Sequence, residues 1–246
     1  MKNALYLDCR SGISGDMTAA ALIDLGADQQ KLRTVLSSLP LDGSSVHIIR
    51  VRKAGVDACD FGLDPRDGQC HGHRSLAGIE DILQRSSLNG RARSLAIRIF
   101  RIIARAESEV HGVPLEAVRL HEVGALDSIV DVAAVAFCID NLAIGEVFVP
   151  ELRDGSGTVR CQHGLLTVPV PVVANIAAAY RLNLVSTPAS GEFVTPTGAA
   201  IVAALRTSDT LPAGFGILRT GIGAGKRHCE PPGLLRAMLV GPEAIG

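Results

Sequence analysis

Apolar residues recur at helical spacing along much of the chain. In several stretches they fall at i, i+3, i+4 and i+7, so one side of each predicted helix is apolar and the other polar. Gly26 ends the first stretch and Pro40 ends the second. The arginines of the fourth stretch lie largely on its polar side, which is typical of a solvated helix surface. The predicted helices cover residues 17–25, 29–39, 75–86, 89–110, 128–143, 171–180 and 198–206.

Shorter stretches alternate apolar and polar residues with a period of two, which predicts strands. They cover residues 4–7 and 46–56, a strand pair within 147–168, and two strands around a glycine turn within 216–240. Residues 57–72 are rich in Gly and Asp and show no period, so we expect an exposed loop there, within a mobile segment over 57–73. Strands that alternate with helices predict an α/β (α+β) fold over residues 1–246, a mixed sheet with helices packed on it.

Composition and charge exclude nucleic acid as a partner. The chain has no Trp, two Tyr and six Phe, so exposed aromatic platforms for stacking bases are not expected. The 24 Lys and Arg residues face 25 Asp and Glu residues, and a net charge of -1 offers no field for a polyanion. An anionic ligand must therefore be small and held by local groups.

Cysteine usage and the lack of long apolar stretches indicate a cytoplasmic protein. The six cysteines form no CxxC pair and no tight framework, so we interpret them as reduced thiols. The chain has no leader-like start, and no run of about 18 apolar residues that would cross a membrane. We therefore expect no membrane association, and the sequence leaves a homo-oligomer open.

A glycine-rich loop follows the first predicted strand. In DCRSGISGD two carboxylates, Asp8 and Asp16, flank Ser11, Gly12, Ser14 and Gly15. Glycines let backbone N–H groups approach an anion, and the following helix N-terminus adds positive potential. The two acids could hold a metal ion that bridges to a phosphate. The alternative is an ordinary turn in which Ser14 or Asp16 caps the helix.

Two segments each contain several residues of the types that bind metal ions. In CHGHRSL, His71 and His73 lie two residues apart, a spacing that suits a loop holding nickel, copper or zinc; the alternative is a solvated polar loop. In HEVGALDSIVD, His121, Glu122 and Asp127 are candidate inner ligands or a general base. Ser128 and Asp131 have the spacing of a capping box, which predicts a structural role for Asp131.

Three later turns are candidate anion or metal sites. His163 lies in a Gln-His-Gly turn and is a weaker candidate metal ligand. Thr195 or Thr197 can cap the helix that includes Gly198, leaving N–H groups for phosphate oxygens. In residues 221–227, glycines beside Lys226 and Arg227 could hold another anion. The alternative for each is a tight turn at the end of an element.

Taken in order, DCRSGISGDM, CHGHRSL, HEVGALDSIVD, HGLLTVPVP, GEFVTPTGAAI and GIGAGKR resemble the LarC family of nickel-insertion proteins over nearly the whole chain. The resemblance implies a CTP-dependent nickel chelatase or cyclometallase of the lyase class. Its substrates would be nickel and pyridinium-3,5-bisthiocarboxylic acid mononucleotide, joined by a carbon–nickel bond in the nickel-pincer cofactor. CTP and Mg²⁺ or Mn²⁺ would bind a C-terminal domain that we expect to be absent from these residues and to be supplied by a separate or continued chain.

The chain departs from the family pattern at three places. Only His71 and His73 stand where family members often carry a long histidine tract, so nickel storage is not expected. Arg10 replaces an aromatic residue, and His228 stands where an Asp is usual. Two other functions stay open at this point. The chain could be a non-catalytic nickel chaperone, or a metal-dependent phosphotransferase or phosphohydrolase that uses Asp8 and Asp16 as ligands.

Overall fold

The computed structural model describes residues 2–41, 43–64, 74–120, 125–161, 164–227 and 230–242. The strands of this part are β1 (Asn3–Asp8), β2 (Ser45–Lys53), β3 (Val56–Asp64), β4 (Arg74–Ser75), β5 (Arg119–Leu120), β6 (Ile144–Phe148), β7 (Leu152–Ser156), β8 (Thr158–Cys161), β9 (Gly164–Thr167), β10 (Leu184–Ser190), β11 (Phe215–Ala224) and β12 (Leu234–Pro242). The helices are α1 (Gly15–Asp24), α2 (Gln29–Leu36), α3 (Leu76–Arg85), α4 (Gly90–His111), α5 (Leu126–Asn141), α6 (Pro171–Tyr180) and α7 (Pro196–Leu205).

A mixed sheet of six strands in the order β2-β3-β11-β12-β1-β6 forms the frame of the fold. β12 runs antiparallel to both β1 and β11, while β6 is parallel to β1 and β3 is parallel to β11. Two-stranded pairs β7–β10, β8–β9 and β4–β5 lie beside this sheet. The predicted α/β architecture, a mixed sheet with helices packed on it, is confirmed.

Helix α1 lies directly on the sheet because two glycines of β11 remove the side chains beneath it. A β-carbon at Gly223 would lie 2.1 Å from the carbonyl oxygen of Met17, and one at Gly221 would lie 2.3 Å from that of Ala21. Helix α5 packs on α1, and α4 packs on α5 and α7. The interior is aliphatic, as the composition predicts, and α5 contributes ten buried residues to it. None of the helices in the described residues is both long and apolar enough to cross a membrane.

Side-chain caps fix where several helices begin. Asp28, Ser75, Asn89 and Thr195 each accept a hydrogen bond from a backbone N–H in the first turn of α2, α3, α4 and α7. Such caps satisfy N–H groups that have no partner within the helix. The predicted cap at Thr195 is confirmed, as is the helix over 171–180, which starts at a proline.

Two local predictions are wrong. Residues 57–64, expected in a loop, belong to strand β3, where Ala58, Cys59 and Phe61 are buried and Asp57 and Asp64 are exposed. The expected capping box of Ser128 and Asp131 does not form, because α5 begins one turn earlier, with Ala125 as its N-cap. Asp131 is thereby free for a different role.

Candidate functional site

The N-terminal ends of α1, α5 and α7 meet around a cavity of about 530 Å³, which we call the helix-end cavity. The sheet places α1 there, because β1 ends at Asp8 and its following loop turns into α1. The turn after β11 closes the opposite side. The polar residues that line the cavity are Ser11, Ser14, Asp16, Asp127, Ser128, Asp131, Glu192, Thr195, Thr197, Lys226 and Arg227.

Three aspartates gather on one side of the helix-end cavity. Asp16 is in the first turn of α1, and Asp127 and Asp131 lie one turn apart on α5. Asp131 accepts a hydrogen bond from the backbone N–H of Asp16, so its carboxyl group caps α1 from the neighbouring helix. Burial, and then the negative charges of Asp16 and Asp127, raise the pKa of Asp131 well above its usual value. The cavity therefore concentrates negative charge that a cation would relieve.

The threonine side of the cavity is held by a buried carboxylate. Asp154 is fully buried in β7, and its Oδ1 accepts hydrogen bonds from the backbone N–H groups of Gly155 at 2.8 Å, Phe193 at 2.7 Å and Val194 at 3.0 Å. Two backbone hydrogen bonds then join this segment to the glycine-rich loop, from Ile13 N to Phe193 O and from Thr195 N to Ile13 O. The loop and the start of α7 are thus fixed relative to each other.

Two cations form the third side, on the turn that follows β11. Lys226 contacts Asp60 and lies 3.2 Å from Nε2 of His47, and Arg227 donates a hydrogen bond of 2.7 Å from Nη2 to Oε2 of Glu192. Lys53 donates to the carbonyl oxygens of Gly225 and Arg227, both at 2.6 Å, and so fixes the turn. Positive groups therefore face the aspartates across one cavity.

Most of the predicted phosphate-site residues line the helix-end cavity, namely Ser11, Ser14, Gly15, Asp16, Thr195 and Thr197. Gly12 and Gly198 do not line it but allow the walls to approach each other. A β-carbon at Gly12, whose φ is +86°, would lie 2.2 Å from the carbonyl oxygen of Phe193, and one at Gly198 would lie 2.2 Å from that of Ile13. The glycines serve close packing of the loop against the α7 segment.

Asp8 lies apart from this cavity. Its carboxylate accepts hydrogen bonds from Arg10 and Arg236, and its side chain is 3% exposed. Burial acts to raise the pKa of Asp8, but the hydrogen bonds and charges of the two arginines outweigh it and hold the pKa below its usual value. Asp8 and Asp16 line different cavities, so the geometry lends no support to a metal held between them.

Five candidate ligands lie outside the described residues: His71, His73, His121, Glu122 and His163. Within the described residues, no three His, Cys, Asp or Glu side chains are close enough together to hold a metal ion. In the sequence, Arg74 directly follows His73 and Leu120 directly precedes His121. Arg74 of β4 pairs with Leu120 of β5. Asp127, the remaining predicted ligand or base, lines the helix-end cavity.

Sequence reasoning missed Asp131 as a cavity residue. Asp127 and Asp131 are four residues apart, which places them on one face of a helix, and this spacing could have shown that Asp131 faces the same site as Asp127. Glu192 was also missed, since nothing in the sequence shows that it pairs with Arg227 beside the cavity. Lys226 and Arg227 do line the site, as their turn suggested, but the glycines of that turn pack against α1.

The fold and the cavity define an α/β protein that offers helix N-termini, carboxylates and cations to one ligand site. Residues 5–245 match the family model described as "Nickel insertion protein", so the chain belongs to the nickel insertion protein family. It is 46% identical to the pyridinium-3,5-bisthiocarboxylic acid mononucleotide nickel insertion protein of Alkaliphilus metalliredigens, over 98% of this chain and 61% of that protein.

Other relatives agree with this assignment. The protein of the same name from Akkermansia muciniphila is 42% identical, over 98% of this chain and 61% of its own length. A putative nickel insertion protein of Geobacter sp. strain M21 is 43% identical, over 95% of this chain and 60% of its length. The chain thus spans about three fifths of the curated relatives that it matches. No solved structure matches it.

Proposed function

We propose that this chain holds nickel and pyridinium-3,5-bisthiocarboxylic acid mononucleotide together while nickel is inserted to give the nickel-pincer cofactor. The observation that carries the proposal is the helix-end cavity, where three helix N-termini and two cations face three aspartates. An anionic nucleotide and a divalent cation need these opposite kinds of group side by side. The names of the relatives support the same substrates.

The helix N-termini suit the phosphate of the mononucleotide. The first turns of α1, α5 and α7 all border the cavity, and N–H groups there carry the positive end of each helix. Lys226 adds a charge on the opposite side, and the hydroxyl groups of Ser11 and Thr197 can donate to phosphate oxygens. We propose that these groups, with Ser14 and Thr195, hold the phosphate and fix the direction of the ring.

Nickel is the second substrate. Carboxylate oxygens hold this borderline ion less firmly than the soft sulfur atoms of the thiocarboxylates will, so the protein can release it to the ligand. We propose that Asp127, together with His121 and Glu122 next to it in the sequence, presents nickel at the cavity, and that His71 and His73 gather it. His163 stays a weaker candidate. The pairing of Arg74 with Leu120, neighbours of His73 and His121, supports transfer between the two segments.

Formation of the carbon–nickel bond removes a proton from the pyridinium ring, so a base is required. Asp131 lines the cavity beside Asp16 and Asp127, and a carboxyl group with a raised pKa accepts protons more readily. We propose Asp131 as a base in addition to the sequence candidates Glu122, His121 and Asp127. We further propose that the whole reaction is that of a CTP-dependent lyase, with CTP and Mg²⁺ or Mn²⁺ bound by a further domain or chain.

Calorimetric titration of the chain with nickel and, separately, with the bisthiocarboxylate mononucleotide tests the proposal. We expect Asp127→Asn to weaken nickel binding more than nucleotide binding, and Thr197→Val to do the reverse. Asp209→Asn changes an exposed carboxylate away from the cavity and should alter neither. A chain that binds neither ligand, alone or joined to the part of its relatives that it does not span, would refute the proposal.

A further inference from the structure

A second cavity, of about 490 Å³, opens on the other side of Ser11 and carries three arginines. We call it the arginine cavity. Ser11 lines both cavities, so the glycine-rich loop separates them. The charged residues that line the arginine cavity are Asp8, Arg10, Arg153 and Arg236, a net charge of +2. The proposed nickel and nucleotide chemistry uses none of these arginines.

The buried carboxylate of Asp8 orients two of the guanidinium groups. Arg10 donates from Nε and Nη2 to the two oxygens of Asp8, both at 2.8 Å, and Arg236 donates from Nε to Oδ2 at 3.0 Å. Asp8 and Arg236 are also direct partners across β1 and β12. A bidentate pair fixes the plane of an arginine as well as its position. The sheet therefore sets the direction of both side chains.

The third arginine joins the cluster through β7. The backbone N–H of Arg153 donates to the carbonyl oxygen of Cys9, the residue between Asp8 and Arg10. Its Nε donates to Glu151 at 2.9 Å. All three arginine side chains are about half exposed, at 51% for Arg10, 43% for Arg153 and 46% for Arg236. Water, or a ligand in water, can therefore reach them.

Each arginine keeps donors that the described residues do not use. In this part of the chain, Nη1 of Arg10, Nη1 of Arg236 and both Nη atoms of Arg153 have no hydrogen-bond partner. A guanidinium has five N–H donors, and a phosphate group offers oxygens in the spacing that these donors match. One edge of each arginine is thus held by a carboxylate while another edge remains available.

We propose that the arginine cavity is a binding site for a phosphate group, separate from the helix-end cavity. Asp8 and Glu151 neutralise two of the three positive charges, and Asp8 pre-orients two guanidiniums, so binding loses little side-chain freedom. A phosphate group supplies the negative charge that the cluster lacks. This inference concerns binding to the chain's own residues and does not rest on the proposed nickel insertion.

Calorimetric titration with inorganic phosphate, at low ionic strength, tests the site. Arg153→Gln removes one guanidinium and leaves both arginines on Asp8, so it should fold normally. We expect it to weaken phosphate binding roughly tenfold or more, and Arg236→Gln to do at least as much. Arg85→Gln is the matched control, because Arg85 is also an exposed arginine that pairs with a carboxylate, that of Asp81, and it lines neither cavity. It should leave binding unchanged.

Two outcomes would overturn the proposal. One is phosphate binding that Arg153→Gln does not change but Lys226→Gln abolishes, which would place the anion in the helix-end cavity. The other is equal weakening by Arg153→Gln and Arg85→Gln, which would show a general effect of net charge. Repeating the titration with ribose 5-phosphate shows whether the bound group is a phosphate ester or a free phosphate ion. If ribose 5-phosphate also binds and its binding depends on Arg153, the ligand is a phosphate ester. If only inorganic phosphate binds, the site takes the free ion.

Discussion

The side chain of Asp131 occupies the space beside the backbone of Gly15. A β-carbon at Gly15 would lie 2.8 Å from Oδ2 of Asp131 and 2.9 Å from its Cβ. The absence of a side chain at the first position of α1 therefore lets the carboxyl group of α5 reach the N–H of Asp16. One small residue thus connects helix packing to the charge arrangement of the site.

We predict that Gly15→Ala destabilises the protein by about 1–3 kcal/mol and displaces Asp131, because the added methyl group overpacks the contact between α1 and α5. Urea denaturation measures the change. Gly90→Ala is the control: Gly90 is also the first residue of a helix, and a β-carbon there would meet nothing within 4 Å. That variant should be as stable as the parent or slightly more so. Similar losses in both variants would contradict the packing argument.

Asp131 should make the protein less stable as the pH rises. Its pKa is higher in the folded protein than in the unfolded chain, so folding favours the protonated form. The stabilisation is complete below the unfolded pKa and is lost as the pH rises from about 4 through the folded pKa. We predict that Asp131→Asn, measured without metal, becomes progressively more stable than the parent over this range.

Asp28→Asn provides a control of opposite sign for that measurement. Hydrogen bonds from the backbone and side chain of Lys31 lower the pKa of Asp28, so its contribution is present above the unfolded pKa and lost as the pH falls. Urea denaturation of both variants from pH 2 to pH 7 compares them, because the contribution of Asp28 changes below about pH 4 and that of Asp131 changes above it. Parallel pH profiles for Asp131→Asn and the parent would mean that Asp131 ionises without cost in the folded protein.

Asp154 is predicted to be the main structural support of the threonine side of the site. Asp154→Ala leaves three buried backbone N–H groups without their acceptor, and we expect a loss of roughly 3 kcal/mol or more. Asp154→Asn keeps an acceptor oxygen and should lose less. Thermal melting gives the ranking, and equal melting temperatures for all three proteins would show that the 192–194 segment is held by other contacts.

The sequence correctly predicted helices and turns that are marked by neighbouring residues in the chain. Pro171 at a helix start and the apolar spacing up to Tyr180 are visible in the sequence, and the helix occupies those residues. Strand β3 was missed because Asp57, Asp60 and Asp64 give it the composition of a loop, while its buried side is recognised only by its pairing with β2 and β11. Composition is a weaker signal than burial when a partly buried strand also carries acids.

The site was predictable in its parts and not in its arrangement. The loop over 11–16 and the Thr195 cap were found because glycine turns and caps have local signatures. The role of Asp131 was not found, because Ala125 gives no sign that α5 starts before Ser128 and because its partner, Asp16, lies on another helix. Asp154 was missed for the same reason: in the sequence it begins an Asp-Gly-Ser-Gly turn pattern, but in the fold it is buried in β7.

The last prediction concerns how nickel reaches the cavity. His71 and His73 precede Arg74, which pairs with the residue before His121. If the first two histidines only gather nickel, His71→Ala/His73→Ala should weaken cofactor formation at scarce nickel and be rescued by excess. Loss of an inner ligand such as His121 changes the geometry of the reacting metal, which added nickel cannot restore.

A nickel titration in a cofactor-forming assay, with the chain joined to the part of its relatives that it does not span, separates these roles. We expect the double variant to reach the parent's plateau at high nickel and His121→Ala to reach a lower one, with little change in melting temperature for either. A lowered plateau for the double variant would make His71 or His73 an inner ligand instead. Identical curves for the double variant and the parent at every concentration would exclude both roles. His71 and His73 would then belong to a solvated polar segment that takes no part in metal transfer.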